Sequence, residues 1–64
     1  MNLDDALALT QRFPEDKTVP EKLADAIKKS SGYEKKMLIK LGEGVILDAT
    51  TKEERKLVQK FLMS

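Results

Sequence analysis

Two kinds of short motif in the sequence could carry chemistry: a pair of glycines and three pairs of adjacent acidic residues. The segment Gly42-Glu43-Gly44 lies in the most apolar stretch of the chain, and bare glycine amides can approach a phosphate closely. A phosphate-binding loop needs G-x-x-x-x-G-K-[ST], or a third glycine followed directly by a helix start, whereas Val45-Ile46-Leu47 follows here. The spacing therefore does not indicate a nucleotide-binding loop.

The acidic pairs are Asp4/Asp5, Glu15/Asp16 and Glu53/Glu54, and paired carboxylates can act as general acid and base. Dipole and capping effects account for acidic residues near helix starts, and nothing apolar in the adjacent sequence would raise a carboxyl pKa. We therefore expect solvated surface charges. The chain has no histidine and no cysteine. Histidine is the commonest general base, cysteine is the usual thiol nucleophile, and both are common ligands of transition metals. We expect a protein that is not an enzyme and that has no catalytic residue, metal site or cofactor.

The length of 64 residues predicts one helical domain over 1–64, because so short a chain buries only about 60% of the surface it exposes when unfolded. Without cysteine, such a domain relies on helix packing or self-association. No apolar run approaches the roughly 18 residues that span a bilayer, and Asp4 and Asp5 stand where a secretory signal carries positive charge. We expect a cytoplasmic protein without membrane contact. No tag or linker scar is visible, so we also expect a complete short gene product.

Capping residues and apolar spacing predict an all-α bundle of four helices, at about 3–12, 19–30, 33–47 and 51–62. Asn2 can cap the first helix, and Pro14 ends it. Its expected core face is Leu3, Ala6, Leu7, Thr10 and Phe13.

The second and fourth helices have recognisable starts. Thr18 and Glu21 match a capping box, and Thr50 or Thr51 can cap the fourth helix. Gly32 can supply a left-handed cap after the second helix. The expected core stripes are Val19, Leu23, Ala26 and Ile27 in the second helix, and Leu57, Val58, Phe61 and Leu62 in the fourth.

The segment 33–49 allows two structures. A β-hairpin would pair strands 37–41 and 45–49 across a three-residue loop that contains glycine, and would give an α+β fold. A helix would gather one broad apolar face at about 100° per residue. Each glycine costs that helix about 0.8 to 1.0 kcal/mol relative to alanine, which burial of the face can offset, so the helix is favoured. The face consists of Tyr33, Met37, Leu38, Leu41 and Val45.

The favoured helix would be apolar on a second side, because Ile39, Ile46 and Leu47 fall outside that face. Gly42 lies between the two sides, where the absence of a side chain permits close backbone approach. These residues either complete the core or leave a patch for a partner. Our leading hypothesis is a small regulator or inhibitor that binds another protein, or a second copy of itself as a homodimer. Its candidate partner-binding residues are Ile39, Gly42, Ile46 and Leu47.

The second predicted helix, its turn and the start of the third resemble a helix-turn-helix, with Ile27 before the turn and Gly32 in it. The sequence departs from that motif at Lys28, where a small residue is expected. Residues 17–40 hold seven lysines against three acidic residues, although the formal net charge of the chain is only +1. The resemblance implies, as the alternative function, a small nucleic-acid-binding regulator. Its candidate contacts are Lys28, Lys29, Tyr33, Lys35, Lys36 and Lys40.

Overall fold

The computed structural model describes residues 2–63, and Met1 and Ser64 lie outside the described residues. Its four α-helices are α1 (Leu3–Thr10), α2 (Val19–Lys29), α3 (Gly32–Asp48) and α4 (Lys52–Leu62). The predicted all-α fold of four helices is confirmed, with each end within two residues of its expected position. No strand occurs in the described part of the chain, so the alternative hairpin is wrong. In that same part, no helix is long and apolar enough to cross a membrane.

Local hydrogen bonds fix the starts of α1 and α4. The Asp5 N–H donates to the Asn2 side-chain oxygen at 2.8 Å, which confirms Asn2 as the N-cap of α1. Thr51 caps α4 through a complete capping box, in which its hydroxyl accepts from the Glu54 N–H and Glu54 accepts from the Thr51 N–H. Four amides at a helix start lack partners within the helix, and these side chains satisfy some of them.

The predicted capping box at the start of α2 is wrong. The Thr18 backbone is helical rather than extended, and its side chain makes no capping hydrogen bond. Both the hydroxyl and the N–H of Thr18 donate to Asp16 instead, so this threonine stabilises the turn before α2. Pro20 nevertheless lies in the first turn of α2, where its missing N–H costs nothing.

The two central helices are α2 and α3, because each contacts the three other helices. Within residues 2–63, α1 and α4 do not contact each other. Their apolar side chains meet in one core, and removal of each large side chain from water stabilises the fold by about 1.5 to 3 kcal/mol. The buried apolar residues are Ala6, Leu9, Phe13, Val19, Leu23, Leu38, Val45, Ala49 and Val58.

Two residues expected in the core are exposed. Leu7 keeps 47% of its surface in water, and Leu9 is buried in its place. Since α1 has only two turns and ends at Thr10, its buried face follows the spacing of Ala6 and Leu9 rather than the longer stripe that was expected. Tyr33 is 70% exposed, because it lies about 120° around α3 from the buried Val45.

The 17 residues of α3 form one helix despite Gly42 and Gly44. A helix pairs its backbone groups internally, whereas an isolated hairpin would need further strands to be stable. Leu38 and Val45 are fully buried on its inner side, and this burial outweighs the cost of about 0.8 to 1.0 kcal/mol for each glycine. The helix form is therefore favoured by packing rather than by the propensity of its residues.

Replacement of Gly44 by alanine is expected to raise the free energy of unfolding by about 1 kcal/mol, since alanine is the better helix former. A Cβ atom at Gly44 meets nothing within 4 Å. The matched change Gly32→Ala should instead cost about 1 to 2 kcal/mol, because Gly32 has a φ of +62°. Urea titrations at equal protein concentration measure both values. Destabilisation by Gly44→Ala would contradict the helical environment assigned to this residue.

Candidate functional site

Of the acidic residues, Glu54 departs furthest from the expected solvated charge, because only 5% of its surface is exposed. The Lys17 ammonium donates to one of its carboxylate oxygens at 3.0 Å. The N–H groups of Thr50 and Thr51 donate to the other, at 3.0 and 3.3 Å. The hydrogen bond from Lys17 and those from the two backbone amides lower the pKa of Glu54 to about 2, and they outweigh the opposing effect of burial. Glu54 therefore ties the turn before α2 to the start of α4.

Asp16 also has a lowered pKa, chiefly because the Thr18 side chain and N–H donate to it. Asp4, Asp5, Glu15 and Glu53 are exposed. Among residues 2–63, no three histidine, cysteine, aspartate or glutamate side chains are grouped so that they could hold a metal ion. Both perturbed carboxylates thus remain ionised at neutral pH, and both act as hydrogen-bond acceptors that hold turns in place.

An apolar groove lies where α2, α3 and α4 meet. Its volume is about 450 Å³, and Glu43 is the single charged residue among those that line it. From α3 come Ile39, Gly42 and Ile46, three of the four residues that the sequence predicted to bind a partner. The remaining apolar walls are Ala24 and Ile27 of α2 and Phe61 and Leu62 of α4.

Gly42 lies at the convergence of the three helices and is buried. A Cβ atom built on it would lie 3.6 Å from Leu23 Cδ2, 3.9 Å from Ile27 Cδ1 and 4.0 Å from Leu62 Cδ2. These are ordinary van der Waals distances, so alanine would fit. The nearest atoms belong to side chains and not to a neighbouring backbone, so the missing side chain of Gly42 leaves room at the groove.

Leu47 is the fourth predicted partner-binding residue, and it does not line the groove. It is 81% exposed and lies about 100° around α3 from Ile46. Ile39 is 43% exposed at the groove edge, and Ile46 is half-buried. The second apolar side of α3 is thus divided between the groove and an outer surface that carries Leu47.

The six candidate nucleic-acid contacts belong to two helices, α2 and α3. Lys28 and Lys29 end α2, and Lys29 pairs with Asp25 at 2.9 Å. On α3, Lys35 and Lys36 are successive residues and point about 100° apart. Lys36 is on the same side as the remaining two candidates, Tyr33 and Lys40, and all six residues are exposed. Nucleic-acid binding by this set stays a prediction.

Three groove residues that the sequence did not predict to bind a partner, Ile27, Phe61 and Leu62, were assigned to the core stripes of α2 and α4. Their spacing gives the correct side of each helix. All three are only half-buried, because α4 leaves part of the junction with α2 and α3 open. Helical periodicity indicates the inward direction, but it carries no information on how completely a neighbouring helix covers that direction.

No protein-family model matches this sequence, and neither a curated protein nor a solved structure matches it.

The Glu54 contacts predict an acid-sensitive contribution to stability. Because the folded-state pKa is about 2 and the ordinary value is 4.5, this contribution is complete above about pH 4.5 and is lost as the pH falls towards 2. Glu54→Gln should lower stability at pH 7 and flatten the dependence between these pH values, with a residual slope from Asp16. Urea titrations across this pH range measure the effect. The exposed Glu53→Gln is the control, and equal pH profiles for the two variants would refute the assignment.

Proposed function

We propose that the chain is a non-enzymatic, cytoplasmic interaction module that binds an amphipathic helix of another protein in the apolar groove. The observation that carries this proposal is the junction of α2, α3 and α4, where partly exposed aliphatic and aromatic side chains surround Gly42. Contiguous exposed apolar surface on a small protein is characteristic of interaction sites. The absence of histidine and cysteine from the sequence supports a role other than catalysis.

A helix is the form of partner that suits this surface. Peptides that bind as strands need an exposed sheet edge, and the described residues form no strand. A helix instead places apolar side chains at spacings of three and four into a groove, where they replace water against apolar walls. The walls of this groove, from Ile27 and Ile39 to Phe61, offer contacts of that kind.

Charges around the groove add a preference for the partner's sequence. Glu43 lies at the groove, and the continuation of the groove between α2 and α4 is lined by two acidic residues, Glu21 and Asp25, and two basic residues, Lys28 and Lys60. A basic residue of the partner would be favoured near Glu43, whereas the two acidic and two basic residues of the continuation balance and favour neither sign of charge. Charges at the rim of an interface affect orientation and association rate more than affinity, so the apolar contacts remain the main source of binding energy.

The proposal can be tested with a displayed library of helical peptides that carry apolar residues at i, i+3, i+4 and i+7. Selected peptides should shift the amide resonances of Gly42, Ile46 and Leu62. Ile39→Asp should weaken their binding at least about tenfold, which corresponds to about 1.4 kcal/mol, because a carboxylate would be desolvated in an apolar contact. Phe61→Ala should also weaken it.

The control is Leu7→Asp, which makes the same kind of change at a residue of similar exposure on α1, outside the groove. Circular dichroism spectra would verify that each variant keeps its helices. Peptides that bind the Ile39→Asp and Phe61→Ala variants as tightly as the original chain would refute the groove as the binding surface. A library that gives no binders would do the same.

A further inference from the structure

A second surface of the molecule lies on α3, beside the groove. We define the outer face of α3 as Tyr33, Lys36, Lys40, Glu43 and Leu47. All five residues are exposed, and they fall in a strip about 80° wide along the helix. Their spacing of three, four, three and four residues is that of a seam between two paired helices. Only Glu43 of this face also lines the groove.

The two edges of the outer face differ in shape. On one edge, Ile39 leaves 43% of its surface in water. On the other, a Cβ atom at Gly44 would meet nothing within 4 Å, and Gly44 lines a depression of about 180 Å³ with Thr10, Gln11 and Asp48. An exposed branched side chain and an open depression thus flank the same strip, one on each side.

The charges on the outer face of one copy can pair with the charges on the same face of a second copy. Lys40 and Glu43 make no ion pair within residues 2–63. Two copies of α3 in parallel and in register would place Lys36, Lys40 and Glu43 each beside its own equivalent, and such like-charge pairs repel. An antiparallel pair can set Lys40 of each copy opposite Glu43 of the other, which gives this attraction twice.

We propose that a second copy of this chain binds the outer face of α3, in an antiparallel register with Lys40 opposite Glu43. The same register sets Leu47 of each copy against the aliphatic stem of Lys36 of the other, with the two Ile39 side chains on one side of the contact and the two Gly44 depressions on the other. Each contact occurs twice about a two-fold axis, so the assembly closes as a dimer and does not extend into a filament.

The contributions to the free energy of association favour a dimer of modest strength. Burial of Leu47 from both copies supplies the apolar attraction. The charge pairs are exposed and individually weak, so they select the register more than they add affinity. The net charge of +1 per chain adds little general repulsion. This dimer goes beyond the proposed function, and it leaves Gly42, Phe61 and Leu62 of the groove uncovered.

The proposal can be tested by sedimentation equilibrium over a range of protein concentrations, on the original chain and on variants that exchange the charges of Lys40 and Glu43. The original chain should change from 7.2 kDa towards twice that mass as its concentration rises. Lys40→Glu and Glu43→Lys should each weaken the dimer about tenfold or more, since each creates two like-charge contacts. The double variant should return to within about threefold of the original dissociation constant. Leu47→Ala should weaken the dimer without loss of fold, because Leu47 is 81% exposed.

Lys56→Glu is the control, because it changes the net charge by the same amount as Lys40→Glu. It lies at an exposed residue of α4 and should leave the dimer intact. A 7.2 kDa species at every concentration up to the millimolar range would overturn the proposal. A double variant as weak as the single variants would overturn it too. Failure of the groove hypothesis appears separately, as peptide binding that is insensitive to Phe61→Ala.

Discussion

The central constraint on this molecule is the requirement that α3 bury one side while it carries apolar residues on a second side. Leu38 and Val45 are fully buried on the inner side, and α3 contacts each of the other three helices. A bundle of three further short helices cannot enclose the whole circumference of a 17-residue helix. Two surfaces are therefore left over, the groove beside Gly42 and the outer face that ends at Leu47, and both functional proposals follow from this incomplete coverage.

The Glu54 carboxylate has a different role, since it links the start of α4 to the turn before α2, in addition to the packing of α2 against α4. Lys17 and Glu54 are separated by 37 residues in sequence, and α1 and α4 do not contact each other within residues 2–63. The carboxylate accepts from one side chain and two backbone amides, so its desolvation is compensated by hydrogen bonds to the charged form. The resulting link holds the start of α4 in place, and α4 supplies Phe61 and Leu62 to the groove.

Much of the fold could be predicted from the sequence, because helix starts and apolar spacing are local properties. Asn2, the Thr51 cap and the burial of Leu38 and Val45 all follow from such patterns. The errors concern tertiary relations. Thr18 and Glu21 have the residue types of a capping box, but the N–H and hydroxyl of Thr18 donate to Asp16 instead. The buried environment of Glu54 depends on Lys17, far away in sequence, and the exposure of Leu7 and Tyr33 depends on which side of each helix its neighbours cover.

The two glycines of α3 also affect how rigid the molecule is. Gly42 and Gly44 lie in the second half of the helix, and glycine loses more backbone freedom on ordering than any other residue. Local opening of a helix is easiest where propensity is low and few side chains cover the backbone, a description that suits Gly44. A helix docked beside Gly42 would suppress such opening, and part of its binding energy would be offset by this loss of conformational entropy. Occupancy of one surface of α3 would then stiffen the backbone beneath the other, so the two surfaces would be thermodynamically coupled without any change in average structure.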